Sequence, residues 1–184
     1  MTTDHPISVG IFEGFSWIRY EGKASFVNSP ILKAFGDERI AAGESCLVVD
    51  LSHCTGMDST FMGTLAGMAT RLASMPGGHL QIADAGERNR RSLEDLGLDF
   101  LMEIDPPAAA WLPAIETIRH SLLPPNTPGS AGQIQRTRHV LEAHETLKGI
   151  NDKNARVFHE VVSLLKNELS QKENPPKTEP PPQA

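Results

Sequence analysis

Cys46-Leu47-Val48-Val49-Asp50-Leu51, then Ser52-His53-Cys54-Thr55-Gly56, then Met57-Asp58-Ser59-Thr60 is the stretch on which the reading of this 184-residue chain turns. Its first six residues form an apolar run of strand length, and the polar residues after them predict a bend. Asp58, Ser59 and Thr60 are each able to cap the first turn of a helix. Behind them Phe61 or Met62, Leu65, Met68 or Ala69, Leu72 and Met75 recur every three or four residues, as one face of a helix packed on a sheet must. Pro76-Gly77-Gly78 ends that helix, proline by lacking the N–H and glycine by accepting a left-handed turn. His79-Leu80-Gln81-Ile82-Ala83 reads as the next strand. The whole is a buried strand that delivers hydroxyl groups to a helix start.

Upstream, Ile7 to Phe12 and Ser16 to Glu21 alternate around Glu13-Gly14-Phe15, which predicts a hairpin closed at Gly22. Trp17 and Tyr20 fall on opposite faces by strand parity, one expected to be packed and the other partly wet. Ser29 is expected to cap a helix with Pro30 in its first turn and Ile31, Leu32, Phe35, Arg39 and Ile40 along it, closing at Ala41-Ala42-Gly43. A strand, helix, strand order of this kind gives parallel strands with a right-handed crossover. Downstream, Asp84-Ala85-Gly86 leads into a helix that ends at Leu93, Leu96 and Gly97, and Leu98 to Ile104 reads as a turn into a short edge strand. A last helix follows Asp105-Pro106-Pro107, with Ala108, Trp111 or Leu112, Ile115, Ile118 and Leu122 on one face and Pro113 marking its first turn. The sum is an α/β fold, a small mixed sheet covered by helices.

Val48-Val49-Asp50-Leu51, the polar segment after it, Met57-Asp58-Ser59-Thr60 and a helix containing Gly63 together resemble the STAS domain of bacterial anti-sigma factor antagonists. The resemblance runs from about Ile7 to about Ile118 and includes Leu98-Asp99-Phe100-Leu101. It implies a STAS-like fold and a non-enzymatic signalling domain that binds an anti-sigma factor, a Ser/Thr protein kinase-like protein. The hydroxyl residues after the motif aspartate include the one such a kinase phosphorylates, which makes Ser59 and Thr60 the candidate phosphoacceptors. His53, Asp58, Phe61 and Met62 become the candidate partner contacts. Two positions depart from the family pattern. Phe61 stands where a glycine usually follows the hydroxyl pair, so it either adds an apolar contact or blocks the usual partner, and Gly22-Lys23-Ala24-Ser25 stands where Gly-Glu-x-Asp is common.

The domain is expected to occupy residues 1–123, with a linker over 124–132 in which Pro124-Pro125-Asn126-Thr127-Pro128-Gly129-Ser130 has loop composition. Residues 133–170 then read as a helical extension. Val140, Leu147, Asn154 and Val161 recur every seven residues, and Thr137, His144, Asn151, Phe158 and Leu165 form the second heptad position. Gly149 and Asn151-Asp152 predict a break into two helices, the second the more apolar. Such a stripe has three fates: it folds back on the domain, pairs with its own copy as a homodimer, or docks on another protein. Residues 171–184, proline-rich, are expected to be a disordered tail, as Met1 to Pro6 is expected to be a frayed end.

The net charge of −6 and 39% hydrophobic content describe a chain with one sizeable core and no basic footprint, which argues against nucleic-acid binding. Glu87-Arg88-Asn89-Arg90-Arg91 is the one dense basic cluster and reads as a solvated helix face. Two cysteines, Cys46 and Cys54, suit a reducing cytosol better than a disulfide. No segment has the length and apolarity of a membrane span or signal peptide, so a soluble cytoplasmic protein is expected. No cofactor is expected. A metal site at His139, His144 and Glu145 is disfavoured because a five-residue interval swings the two rings to different azimuths; solvated or seam positions suit them better. A hydrolytic grouping of His53 with Asp58 and Ser59 lacks the nucleophile elbow, and Met75-Pro76-Gly77-Gly78-His79 lacks the lysine of a nucleotide loop.

Phosphate on Ser59 or Thr60 is tolerated by a helix N-terminus, opposed by Asp58, and hostile to any partner packed over the spot, which must desolvate it. The bland alternative is that the three residues merely cap a helix. The competing role for the whole chain is a scaffold, or the small subunit of a larger assembly such as a lipid-transport or signalling complex, held together by the C-terminal helix and without a phospho-switch.

Overall fold

In a computed structural model that describes residues 5–175, five strands form one mixed sheet in the order β1-β2-β3-β4-β5. The strands are β1 (Ile7–Phe12), β2 (Phe15–Ala24), β3 (Cys46–Met57), β4 (His79–Ala83) and β5 (Glu103–Ile104). Only the β1/β2 hairpin is antiparallel; β2, β3, β4 and β5 run parallel. Helices α1 (Ser29–Ala41), α2 (Ser59–Ala73) and α3 (Gly86–Asp95) connect them. A short α4 (Ile115–His120) closes the domain, and α5 (Gln133–Lys148) and α6 (Asp152–Glu173) form a hairpin beyond it. Asn28, not Ser29, holds the N-cap position of α1, with no side-chain capping bond, and Pro30 sits in its first turn.

β3 runs six residues past Leu51, through the polar stretch expected to bend. β2 extends equally far and supplies the ladder partners, Glu21 opposite His53, Gly22 opposite Cys54 and Ala24 opposite Met57. Two bulges place extra residues in β3, one opposite the Arg19–Glu21 step and one opposite Gly22–Lys23. The first flips strand parity, so Cys46 joins one face of the sheet and Cys54 the other. Both thiols are free and buried, and burial raises them, Cys46 to about 11.

On one face Ile18, Leu47, Val49, Leu80 and Ile82 meet Leu32 and Phe35 of α1, Leu65, Met68 and Leu72 of α2, and Leu93 of α3. On the other face Trp17, Val48 and Ala83 meet Ala109, Trp111 and Ile118. The expectation that one of Trp17 and Tyr20 is partly wet is therefore corrected: they are 0% and 1% exposed because both faces are covered. Trp17 packs edge-on to Trp111 with ring centres 5.1 Å apart, and Tyr20 packs on Phe61 at the same distance. The single last helix expected from Ala108 is also corrected. Pro113 lies in a 3-10 turn, Leu112–Ala114, that leaves α4 only six residues.

The charged centre of the second face is Asp50, fully buried in β3, which receives Arg119 Nε at 2.8 Å and Nη2 at 3.1 Å. The Ser52 N–H adds a bond of 3.0 Å. Burial pushes the Asp50 carboxyl up, and Arg119 with Ser52 reverses this, so it lies below its ordinary value. The folded pKa is depressed, so this stability is present above the unfolded carboxylate range and is lost as pH falls through the folded value. Arg119→Met is expected to cost about 3–5 kcal/mol in urea unfolding at pH 7, because it strands a buried charge. Without Arg119, burial alone raises Asp50, so the gap to the wild type is expected to narrow as pH drops toward about 4. A gap that is constant or widens on acidification would contradict this account of Asp50.

Candidate functional site

The junction of β3 with α2 is held by Asp58. Its Oδ1 accepts the Phe61 N–H at 2.8 Å, capping α2, while Oδ2 accepts the Phe26 N–H at 2.7 Å from the β2–α1 loop. Its own N–H donates to the Ala24 carbonyl at 2.9 Å. One carboxylate thus satisfies two orphan donors and fixes the loop against the helix start.

Ser59 and Thr60 follow, and their environments differ. Thr60 is 4% exposed, Phe61 is 0% exposed against Tyr20, and Met62 is buried. Phe61, expected as a partner contact, fills the core with its bulk instead. Ser59 is half-buried, and its Oγ lies 2.9 Å from Nε2 of His144 on α5. His144 Nδ1 lies 2.7 Å from the Val140 carbonyl, which assigns the proton to Nδ1 and leaves Nε2 to accept from the Ser59 hydroxyl. His144 is 6% exposed and packs edge-on to Phe158 of α6. A second pair repeats the chemistry at α1: Ser29 Oγ lies 2.8 Å from His139 Nε2. Burial pushes the His139 imidazole below its ordinary value.

The histidines read as solvated or seam positions are therefore serine partners on the domain. Among the described residues no group of three His, Cys, Asp or Glu side chains is placed to hold a metal ion. His53 stands apart, exposed on β3, 2.7 Å from Arg19 Nη2 and 3.0 Å from Ser52 Oγ, so it is not joined to Asp58 or Ser59 by a hydrogen bond. The Ser59–His144 pair has the spacing of a hydroxyl and its base, but the ring is oriented by a backbone carbonyl. A cavity of about 220 Å³ beside it is lined by Lys33, Gly63, Thr64, His139 and Ala143 instead.

The extension folds back, the first of its three expected fates. α5 lies between α2 and α6, so its buried residues, Thr137, Leu141, Ala143, His144 and Leu147, form a wider stripe than two heptad positions. The approach to α2 is close: a Cβ on Gly63 would stand 2.3 Å from the Ala143 carbonyl oxygen. Opposite this, the turn into α6 is tied to the end of α3, with Asn154 Nδ2 donating to the Leu96 carbonyl and Lys153 Nζ to the Asp95 carbonyl, both at 2.9 Å. α6 extends through Glu173, beyond Gln171, where the disordered tail is expected to begin; residues 176–184 and 1–4 of the expected disordered ends lie outside the described residues. Among the described residues no helix is long and apolar enough to cross a membrane.

A family model described as the STAS domain matches residues 7–109. Among solved structures, a protein from Thermotoga maritima assigned as an anti-sigma factor antagonist is similar at 21% identity with a TM-score of 0.51, covering 62% of this chain and 96% of its own. An anti-sigma factor antagonist from Mycobacterium paratuberculosis is similar at 24% identity and a TM-score of 0.48, over 61% of this chain and 92% of its own. The Bacillus cell fate determinant SpoIIAA, in its phosphorylated form, is similar at 18% identity and a TM-score of 0.48, over 61% and 99%. No curated protein matches in sequence. The family model ends before α5 and α6.

Asp58→Ala is expected to lower stability by about 1–2 kcal/mol, through loss of the α2 cap, with Asp58→Asn costing less. Chemical denaturation of the three proteins side by side checks this; equal stability of the alanine variant and the wild type would remove Asp58 as the organiser of the junction.

Proposed function

Because the chain belongs to the STAS domain family, we propose that it is a non-enzymatic cytoplasmic regulator that binds an anti-sigma factor or related Ser/Thr kinase-like protein, and that Ser59 is its phosphoacceptor. The observation that carries the choice is the contrast at the α2 N-terminus. Ser59 is half-buried with its hydroxyl directed out to a partner helix, whereas Thr60 is buried. A kinase needs the hydroxyl in its own active site, which a core threonine does not offer without local unfolding. His53, Asp58 and the surface around them remain the proposed partner contacts. Phe61 and Met62, buried here, act from beneath by shaping the helix start.

A phosphate brings about −1.5 to −2 charges and three strong acceptors to that point. The positive end of the α2 dipole favours it and Asp58 opposes it. A partner packed on the same surface would have to desolvate it, so phosphorylation would dissociate the complex.

The second reading is a scaffold or small subunit of a larger assembly without a phospho-switch, and the engagement of Ser59 by His144 favours it. A homodimer through the extension would have Val157 and Leu164 of α6 to use, exposed at 58% and 61%, since Phe158 and Val162 are buried within the chain.

Phosphosite mapping by mass spectrometry on the protein isolated from its own cells under several growth conditions separates the two. Condition-dependent phosphate on Ser59, absent in Ser59→Ala and present in Thr60→Val, is expected. An unmodified Ser59 under every condition would leave the scaffold as the reading.

A further inference from the structure

We infer that the α5–α6 hairpin is a latch over Ser59, and that the docked hairpin and a phosphate on Ser59 exclude one another. The inference rests on the regulatory reading for its biological use, but its physical content stands on the geometry alone.

The space a phosphoryl group on Ser59 needs is occupied. Ser59 Oγ and His144 Nε2 are at hydrogen-bond distance, 2.9 Å, so phosphorus and its oxygens fall where the ring now is. The ring has no easy retreat. Nδ1 is held by the Val140 carbonyl one turn earlier, and the ring edge is set against Phe158 of α6. A rotated imidazole would lose both contacts.

Sliding the helix toward the start of α2 makes no room either. One turn along α2 from Ser59, Gly63 meets the Ala143 backbone so closely that a methyl group would overlap the carbonyl oxygen, at 2.3 Å. Axial movement of α5 by one turn toward the start of α2 would set the Ala143 backbone against the side chain of Ser59 or Thr60, which so close an approach does not admit. Close packing here makes the hairpin either docked or not, with little between. Asp58, fixed by two backbone N–H groups, stands beside Ser59 whether the hairpin is docked or not, so the exclusion rests on the occupied space.

Release would proceed from one end. Asn151, Lys153 and Asn154, at the turn between α5 and α6, bind the Asp95 and Leu96 carbonyls and would hold that end of the hairpin. Loss of the Ser59–His144 tie removes α5 from the Gly63 contact, and the Ser29–His139 tie follows on the same helix. Linkage makes the effect reciprocal: whatever phosphate does to docking, docking does to the affinity for phosphate. An enzyme that phosphorylates Ser59 would therefore act on the fraction of chains with the hairpin open. Residues 133–173, beyond the region the family model matches, would then set the sensitivity of the switch.

The test uses the full chain with phosphoserine installed at position 59 by nonsense suppression, beside the unmodified protein and Gly63→Val. Amide hydrogen exchange read by mass spectrometry is compared for α5, α6, β3 and β4. Exchange in α5 is expected to quicken by about ten-fold or more in the phosphorylated protein, with β3 and β4 still protected. Gly63→Val, which obstructs Ala143 without adding charge, is expected to do the same. Unchanged protection of α5 with phosphate in place would overturn the latch, and so would a loss of protection that spread through β3 and β4. Since the phosphate is installed, not enzymatically delivered, the regulatory reading fails separately, by an unmodified Ser59 in cells.

Discussion

The backbone of α5 lies so close to α2 that the hydrogen of Gly63 is the only substituent the contact accepts. That approach fixes where the extension sits, and it brings His144 over the one hydroxyl of the α2 N-terminus that faces outward. Glycine weakens a helix interior by about 1 kcal/mol relative to alanine, so its use at this point trades intrinsic helix stability for a close crossing. Two serine–histidine bonds then tie the hairpin to α1 and α2 at separate points. Each is worth only about 1 kcal/mol net in an ordinary setting. Ties of that size suit a contact that must be able to open.

Beneath the hairpin, the domain is organised by β3, apolar on both faces because helices cover one side and the Trp111 to Ile118 segment the other. Asp50 is the exception in its run, made tolerable by Arg119 and Ser52. The parity flip at the β3 bulge turns the strand's outer half so that Cys54 packs inward and Asp58 arrives where it can cap α2. The same carboxylate holds the β2–α1 loop, so strand, loop and helix are fixed together at the point where Ser59 begins.

Much of this was legible in the sequence. The Cys46–Leu51 run, the Asp58 cap and the apolar period from Phe61 to Leu72 gave the strand, the junction and the helix, and the resemblance added the fold. The outer half of β3 is hidden by the turn composition of Ser52 to Gly56, although His53 and Thr55 exposed against Cys54 and Gly56 buried is strand alternation. The burial of both Trp17 and Tyr20 is not legible locally because the cover on the second face comes from residues about ninety positions away in sequence, such as Trp111. His144 had the right periodicity for a helix seam, yet its partner lies 85 residues upstream, and no local pattern names Ser59. Pairings of that separation are set by the tertiary crossing, here by Gly63 and Ala143, whose spacing carries no signal of its own in the chain.

The most direct measurement is an isotope-edited nuclear Overhauser experiment on the unmodified full chain, reading the Gly63 α-protons and the Ser59 β-protons. Cross-peaks from Gly63 to Ala143 and from Ser59 to the His144 ring, with ordered α5 resonances, are the result the account predicts. Sharp, mobile α5 resonances with neither cross-peak would show a hairpin free of the domain, and the account of a covered Ser59 would be contradicted.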